Sequence, residues 1–514
     1  MNFHLNAKLA QRAFDYSKRL DQKKFVFLLL AGLLVRLIGS FLYGTQDMEW
    51  WKAWGVYATQ QSLTGIYGTT DQEIFDLWRE GQCQPLALKE GLAVLPTQTI
   101  VHFASYRYFR TEYILTQPPL YIYSLDVFTR LYGMISPELA NNRVFNFFIN
   151  LEPIISSAVL AWLISLFVSN LANRSTGKLA GLVYWLNPLV ILNAPIQGYR
   201  DPLCALFTVI SVVMLYRKNL SLAFVCLALA FMYKPQGVLI APVVVLVGLR
   251  EHRFNRNLLA WIVAGLTSLA VCLPYIITNH FLGLVQGVLS ITQMSSDLSR
   301  QAMNIWWPVQ YLANAHVLIT EKGVSILQAL TGYDGRVIND LPISKFESMM
   351  HVNAGTIGFA LLGVFTIINL WYVWRRLQSD RNSIIIAAAL QIYGYFILRA
   401  GVQINHYFIL IPLFTLLAFL NAISLRRYLM ICSIFFIQDW IFYGFGRDFN
   451  FEFGRDLNHG WRMLSISYLA WTTNLLALAN VGLFIFLCWN YYTLKEPLLS
   501  LRERFIPKQK GAGV

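Results

Sequence analysis

The sequence predicts an all-α polytopic membrane protein with about twelve transmembrane helices and long outer loops carrying juxtamembrane helices. Three observations predict it. Composition is the first: 56% of the 514 residues are hydrophobic and only 13% charged, against about 25% charged in an ordinary soluble domain. The second is a succession of apolar runs, several near the roughly 20 residues that a helix needs to cross hydrocarbon. The third is charge placement. Lys and Arg gather in short clusters between the runs, at Arg174 and Lys178, Arg217 and Lys218, Arg250, Arg253 and Arg256, Arg375, Arg376 and Arg381, and Arg426 and Arg427. Short basic loops mark the cytoplasmic side. The net charge of +14 is therefore read as topology, and clusters spread over separate loops argue against a nucleic-acid partner.

Taken in order, residues 1–24 carry Lys8, Arg12, Lys18, Arg19, Lys23 and Lys24 and form a cytoplasmic N-terminal segment. The run at 25–43 is expected to be the first transmembrane helix, an uncleaved anchor, since it lacks a small-residue cleavage site. Residues 44–143 form a first outer loop. Within it, Gln117-Pro118-Pro119 leads into an apolar stretch broken by Asp126, Arg130 and Gly133. A crossing there would move Arg174 and every later basic cluster outside, so the stretch is expected to lie in the interface. Residues 144–281 hold transmembrane helices 2–7, near 144–170, 179–195, 202–216, the two halves of 220–249, and 257–281. The run 220–249 is interrupted by Lys234-Pro235-Gln236, where proline removes a backbone donor. Two short spans are expected to meet at that breach and line a cavity. A second long outer segment, 282–354, contains Asn304-Ile305-Trp306-Trp307-Pro308 as the start of a re-entrant or interfacial helix. Residues 355–489 hold helices 8–12, near 355–374, 383–398, 404–422, 428–443 and 463–489, with a polar loop at 444–462. The basic tail, 490–514, returns to the cytoplasm.

Both long segments and the 444–462 loop then face outward, and polar residues collect at that boundary. Asp47 and Glu49 follow the first span, flanked by Trp50, Trp51 and Trp54; Gln197, Arg200 and Asp201 fall in a tight turn; Lys234 and Gln236 sit at the breach; Arg399, Gln403, Asn405 and His406 lie between two late spans. Singly these have plain readings: an aromatic belt with solvated acids, a snorkelling lysine, a hydrogen-bonded histidine. Jointly, an acid and several cations at one depth fit a lipid-phosphate substrate, whose head group needs Lys, Arg or His while its tail needs lipid. A carboxylate partly desolvated among tryptophans gains basicity and suits proton abstraction. No phosphate-cradling GxxxxGK loop, HExxH or Ser, His and Asp arrangement occurs. Five of the cysteines, Cys204, Cys226, Cys272, Cys432 and Cys488, lie in apolar runs and Cys83 in the first outer loop, with neither a disulfide framework nor a zinc spacing.

The order of these features resembles the GT-C superfamily of polyprenyl-phosphate-sugar glycosyltransferases, over roughly residues 25 to 420. Asp47-x-Glu49 is similar to the family's first-loop acidic motif, and Tyr113 to Tyr123, with Pro118-Pro119, to its Pro-containing juxtamembrane helix. Asn187-Pro188, Gln197-Gly198, Asp201 and Lys234-Pro235-Gln236 resemble motifs of the bacterial, mannosyltransferase-like branch. Asn405-His406-Tyr407 stands where many members carry a His-Glu pair, and the Glu is absent. The resemblance implies an inverting transferase that moves a monosaccharide from a polyprenyl-phosphate-sugar to an acceptor hydroxyl of a glycan, lipid or protein, at the outer face of a membrane. Asp47 would be the base and Glu49 would orient the acceptor. Lys234, Arg399, His406 and Arg200 would hold the donor phosphate, and Gln197, Asp201, Gln236, Trp50, Trp51 and Asn405 would line the substrate. With cations available for the leaving group, neither a metal nor a cofactor is required.

A lipid-linked-glycan transporter or flippase would more often show repeated spans and charges through the midplane. A polymerase or ligase of such glycans would share the long outer loops and differ in consuming a diphosphate-linked oligosaccharide. Asn-x-Ser/Thr occurs only in predicted inner loops, at Asn173-Arg174-Ser175 and Asn219-Leu220-Ser221, which points to a bacterial inner membrane.

Overall fold

The computed structural model describes residues 22–42, 44–45, 47–69, 73–74, 115, 117–290, 298–299, 302–326, 328, 343–444 and 470–493. The side chain of Glu49 lies outside the described residues, as do residues 1–21, Tyr113 and Cys83 with most of the first outer loop, the 445–462 loop and the basic tail. Among the described residues the regular structure is helical.

Asparagine starts many of these helices, because its short side chain accepts the first free backbone N–H groups. Asn142 caps α4 (Arg143–Leu171), Asn173 caps α5 (Arg174–Trp185) and Asn187 caps α6 (Pro188–Ile191). Asn219 caps α8 (Leu220–Tyr233) and Asn353 caps α14 (Ala354–Arg376). Proline fills the first turn of α3 (Pro119–Gly133) and α7 (Asp201–Tyr216), where its missing N–H costs nothing. Ahead of these lie α1 (Gln22–Gly39) and α2 (Asp47–Gln60). After them come α9 (Ala241–Glu251), α10 (Phe254–Ile277), α11 (Phe281–Ser290), α12 (Trp306–Lys322) and α13 (Ile343–Met350). The chain continues through α15 (Asn382–Leu398), α16 (Leu410–Phe419), α17 (Leu425–Tyr443) and α18 (Ala470–Thr493).

Four of these helices are long and apolar enough to cross a membrane: Arg143–Leu171, Phe254–Ile277, Ala354–Arg376 and Thr472–Thr493. The pair Arg174–Trp185 and Pro188–Ile196, bent by 46° at the Asn187-Pro188 break and covering the run expected at 179–195, makes a fifth if the two are counted as one span. The other expected crossings are shorter or more charged. Asp201–Tyr216, Leu220–Tyr233, Asn382–Leu398 and Ile404–Phe419 run 10–17 residues, and α1 carries Lys23, Lys24 and Arg36 in 18 residues. Helix α3 has 15 residues, too few for a crossing of about 20. Its buried face, including Tyr121, Leu125 and Tyr132, packs on α2 and α4.

Burial explains the short helices. Every residue from Ser383 to Ile397 of α15 is buried, as is every residue of α16, and a helix that is apolar all round belongs inside. The long helices α10 and α14 instead expose Leu258, Ile262, Leu266, Phe359, Val364 and Ile367, a face suited to lipid.

Contacts sort the loops into two ends. At one end Lys178 donates to Gln22 (2.9 Å), and Arg217 lies over Phe167, 5.9 Å from the ring centre. Arg381 there grips both Glu251 oxygens (2.5 and 3.1 Å) and the carbonyls of Leu215 and Tyr216 (3.0 and 2.9 Å). Arg250 stacks on Trp374 at 4.2 Å and Arg427 on Phe486 at 4.9 Å. The Tyr372–Tyr492 contact, 5.2 Å between ring centres, joins the last group to the rest. The short basic loops thus share one end. The breach and the turn at 197–201 fall at the other.

Candidate active site

Two stretches far apart in sequence build the site's floor. The chain leaving α1 turns at Gly44, whose φ is +68°, and Thr45 N–H donates to the Gln197 carbonyl at 2.9 Å. From the other side, a π turn at Leu192–Ile196 delivers Gln197, and Gly198 continues with φ +81°. An added Cβ at Gly198 would lie 2.3 Å from the Met48 methyl carbon and 3.4 Å from the Trp51 ring, so glycine is required for both conformation and space. Asn146 and Asn150 of α4 tie the seam together, donating to the carbonyls of Leu42 (3.0 Å) and Ser40 (3.2 Å). The first acidic stretch and the Gln197–Asp201 turn are therefore one unit.

Two adjacent residues of that turn enter two different buried ion pairs. Arg200 meets Glu152 at 2.8 Å, with side chains 0% and 5% exposed. Glu152 also accepts from Tyr233 (2.6 Å) and Ser156 (3.2 Å). Arg200 further donates to Ser124 (2.6 Å) and the Ile149 carbonyl (3.1 Å) and lies 5.3 Å from the Tyr121 ring centre. Arg200 was expected to hold the donor phosphate. Its two terminal nitrogens are instead committed to protein acceptors and only Nε lacks one, so it fixes the turn. Asp201 pairs with Lys234 through Oδ1, and its Oδ2 is buried without a hydrogen-bond partner. Lys234 reaches Asp201 because α8 ends at Tyr233: Lys234 is extended (φ −152°, ψ 131°) before a 3-10 helix over Pro235–Ile240. The breach read from Lys234-Pro235 is thus an actual break in the helix.

A second polar chain borders Lys234. Gln236 Nε2 lies 2.7 Å from His406 Nε2, and His406 Nδ1 lies 3.3 Å from the Tyr395 hydroxyl. Arg399 donates to that hydroxyl at 3.3 Å. The charge of Lys234 reaches Tyr395 as well. Asn304, just before α12, and Trp306, its first residue, secure this segment, donating to the carbonyls of Phe396 (3.1 Å) and Leu398 (2.8 Å).

Asp47 is half-buried at the first position of α2. Asp47, Glu152, Asp201 and Arg200 all lie within electrostatic range of the Tyr121 hydroxyl, and Asp47 and Asp439 both act on Tyr199. Trp51 is buried against Tyr199, ring centres 6.0 Å apart, whereas the half-buried Trp50 lies beside Trp54.

Glu152, Tyr233, Tyr395 and Asp439 join the site although the sequence reading did not single them out. Asp439 is wholly buried, neither of its carboxylate oxygens has a hydrogen-bond partner, and no cation pairs with it among the described residues. The available signal was the one used for Lys234: a charged residue inside an apolar run is expensive and marks a site. A half-buried acid can take a proton, and a lysine, an arginine and a histidine can offset growing negative charge. In comparisons with known proteins, no protein-family model matches the chain and no curated protein matches it.

Proposed function

We propose that this chain is an inverting glycosyltransferase of the membrane, moving one sugar from a polyprenyl-phosphate donor to an acceptor hydroxyl at the outer face. The observation that supports the reading is that Asp47 and Asp201, the partner of Lys234, both lie within electrostatic range of Tyr121. In this reading about twelve segments enter the bilayer, the short central helices sheltered within the long ones, and the bilayer is a bacterial inner membrane. The proposed relationship is to the GT-C superfamily, in the mannosyltransferase-like branch.

The acceptor hydroxyl gives its proton to Asp47 as its oxygen attacks the anomeric carbon. A new C–O bond forms on one face while the bond to the phosphate oxygen breaks on the other, and polyprenyl phosphate leaves with the bonding pair. Lys234 carries three N–H groups. One meets Asp201, leaving two for the departing phosphate, with Arg399 and His406 alongside. Charge that grows at the leaving oxygen is stabilised more in the transition state than in the ground state, which is the condition for rate acceleration.

The test is release of polyprenyl phosphate from a purified polyprenyl-phosphate-hexose by the full chain in proteoliposomes. Asp47→Asn should reduce turnover by about 10²-fold or more with an unchanged thermal midpoint. Near-normal turnover in Asp47→Asn would remove Asp47 as the base.

A further inference from the structure

The basic end holds a second constellation, independent of the chemistry above. Lys218, Arg256 and Arg381, from different loops, and the carboxylate of Glu251 all lie within electrostatic range of His252, and the loops meet at Gly248, where an added Cβ would lie 2.7 Å from Asn257 and 3.1 Å from Leu220. These three cations have different employments. Arg381 is spent on Glu251 and on two carbonyls, so it clamps the loops together. Lys218 and Arg256 are exposed and have no acidic partner among the described residues. His252 Nε2 is buried with no hydrogen-bond partner, and so are Nε and Nη1 of the neighbouring Arg250.

The backbone at this corner is fixed. Asn257 Nδ2 donates to the carbonyls of Gly248, His252 and Arg253 (3.1, 3.1 and 3.2 Å), which turns those oxygens inward. Helix α10 starts here without a side-chain cap, so its first N–H groups and positive dipole end add to the field. Exposed apolar side chains belong to the same corner: Phe254 is 75% exposed, Leu249 59% and Trp374, under Arg250, 49%. A free anion uses only the charges. A phospholipid uses both, its phosphate between the cations and its acyl chains along the apolar rim.

We propose that Lys218, His252 and Arg256 form a binding site for the phosphate of an anionic phospholipid, whose chains lie against Leu249, Phe254 and Trp374. The preorganised loops distinguish this site from the diffuse attraction of any basic loop for an acidic membrane. Purified full-length protein in neutral detergent is titrated with phosphatidylglycerol, phosphatidylcholine or inorganic phosphate and followed by thermal unfolding and native mass spectrometry. Phosphatidylglycerol should raise the midpoint and remain bound, while the other two should not. Lys218→Gln with Arg256→Gln should weaken phosphatidylglycerol roughly thirtyfold, from the usual contribution of each basic residue near an acidic lipid. Arg426→Gln with Arg427→Gln removes the same charge elsewhere on this end and should leave binding intact. Equal losses in the two double variants, an equal response to inorganic phosphate, or no selective response to phosphatidylglycerol would overturn the proposal.

Discussion

Arg200→Met isolates one of the buried ion pairs that hold the 197–201 turn. The substitution keeps a long apolar stem against Tyr121 but strands Glu152, 5% exposed, with hydrogen bonds from Tyr233 and Ser156 only. Removing one partner of a buried pair costs about 3–5 kcal/mol, because an uncompensated charge remains. The bonds that Arg200 donates to Ser124 and to the Ile149 carbonyl go with it, so the upper part of that range applies. Glu152→Gln in the same background removes the stranded charge while keeping a side chain of the same shape. The double variant should recover about 2 kcal/mol or more relative to the sum of the singles. Unfolding followed by tryptophan fluorescence in detergent measures the cycle, with an Ala substitution at exposed Leu258 as a background control. Single effects that simply add would mean that Arg200 and Glu152 do not interact, and the account of how the 197–201 turn is held would fail.

Gly198→Ala should destabilise the protein by about 1–3 kcal/mol and displace α2, since its φ of +81° and the Met48 methyl carbon 2.3 Å from the new Cβ both oppose it; a midpoint unchanged from wild type would show that the two stretches do not share this seam. His252 supplies a pH dependence. Burial pushes its imidazole below the ordinary range, Glu251 pulls it up, and Arg256, Lys218 and Arg381 push it down. The unfolded chain therefore binds this proton more readily, and folded stability falls as pH drops through about 6.5 and below. In lipid-free detergent, His252→Gln should flatten that part of the midpoint–pH curve, whereas an unchanged curve would assign the loss to other groups.

The parts of this architecture that depend on local pattern could be read from the sequence. Apolar runs located α4, α10 and α14 to within a few residues, and Lys234-Pro235 marked the end of α8 because proline cannot supply the next backbone donor. The Asn187-Pro188 break carried the same signal inside the 179–195 run, yet the run's length hid the 46° bend. Partner choice was not legible. Neighbours Arg200 and Asp201 take different partners, Glu152 and Lys234, a division set by the packing of α4 and α8 around the turn. Nor does an apolar run disclose that α15 is buried along nearly its whole length while α10 faces outward, since both read as hydrophobic segments. Asp439 is hidden for a related reason: one acid near the end of an apolar run resembles an interfacial residue until the fold shows it wholly buried.

A density map of the protein with a polyprenyl phosphate bound tests the proposed chemistry most directly. The phosphate should lie within hydrogen-bonding distance of Lys234 Nζ, with Asp47 across the space left for the sugar. A phosphate seated among the basic loops, or beyond the reach of Lys234 on a face that Asp47 does not share, would contradict the glycosyltransferase reading.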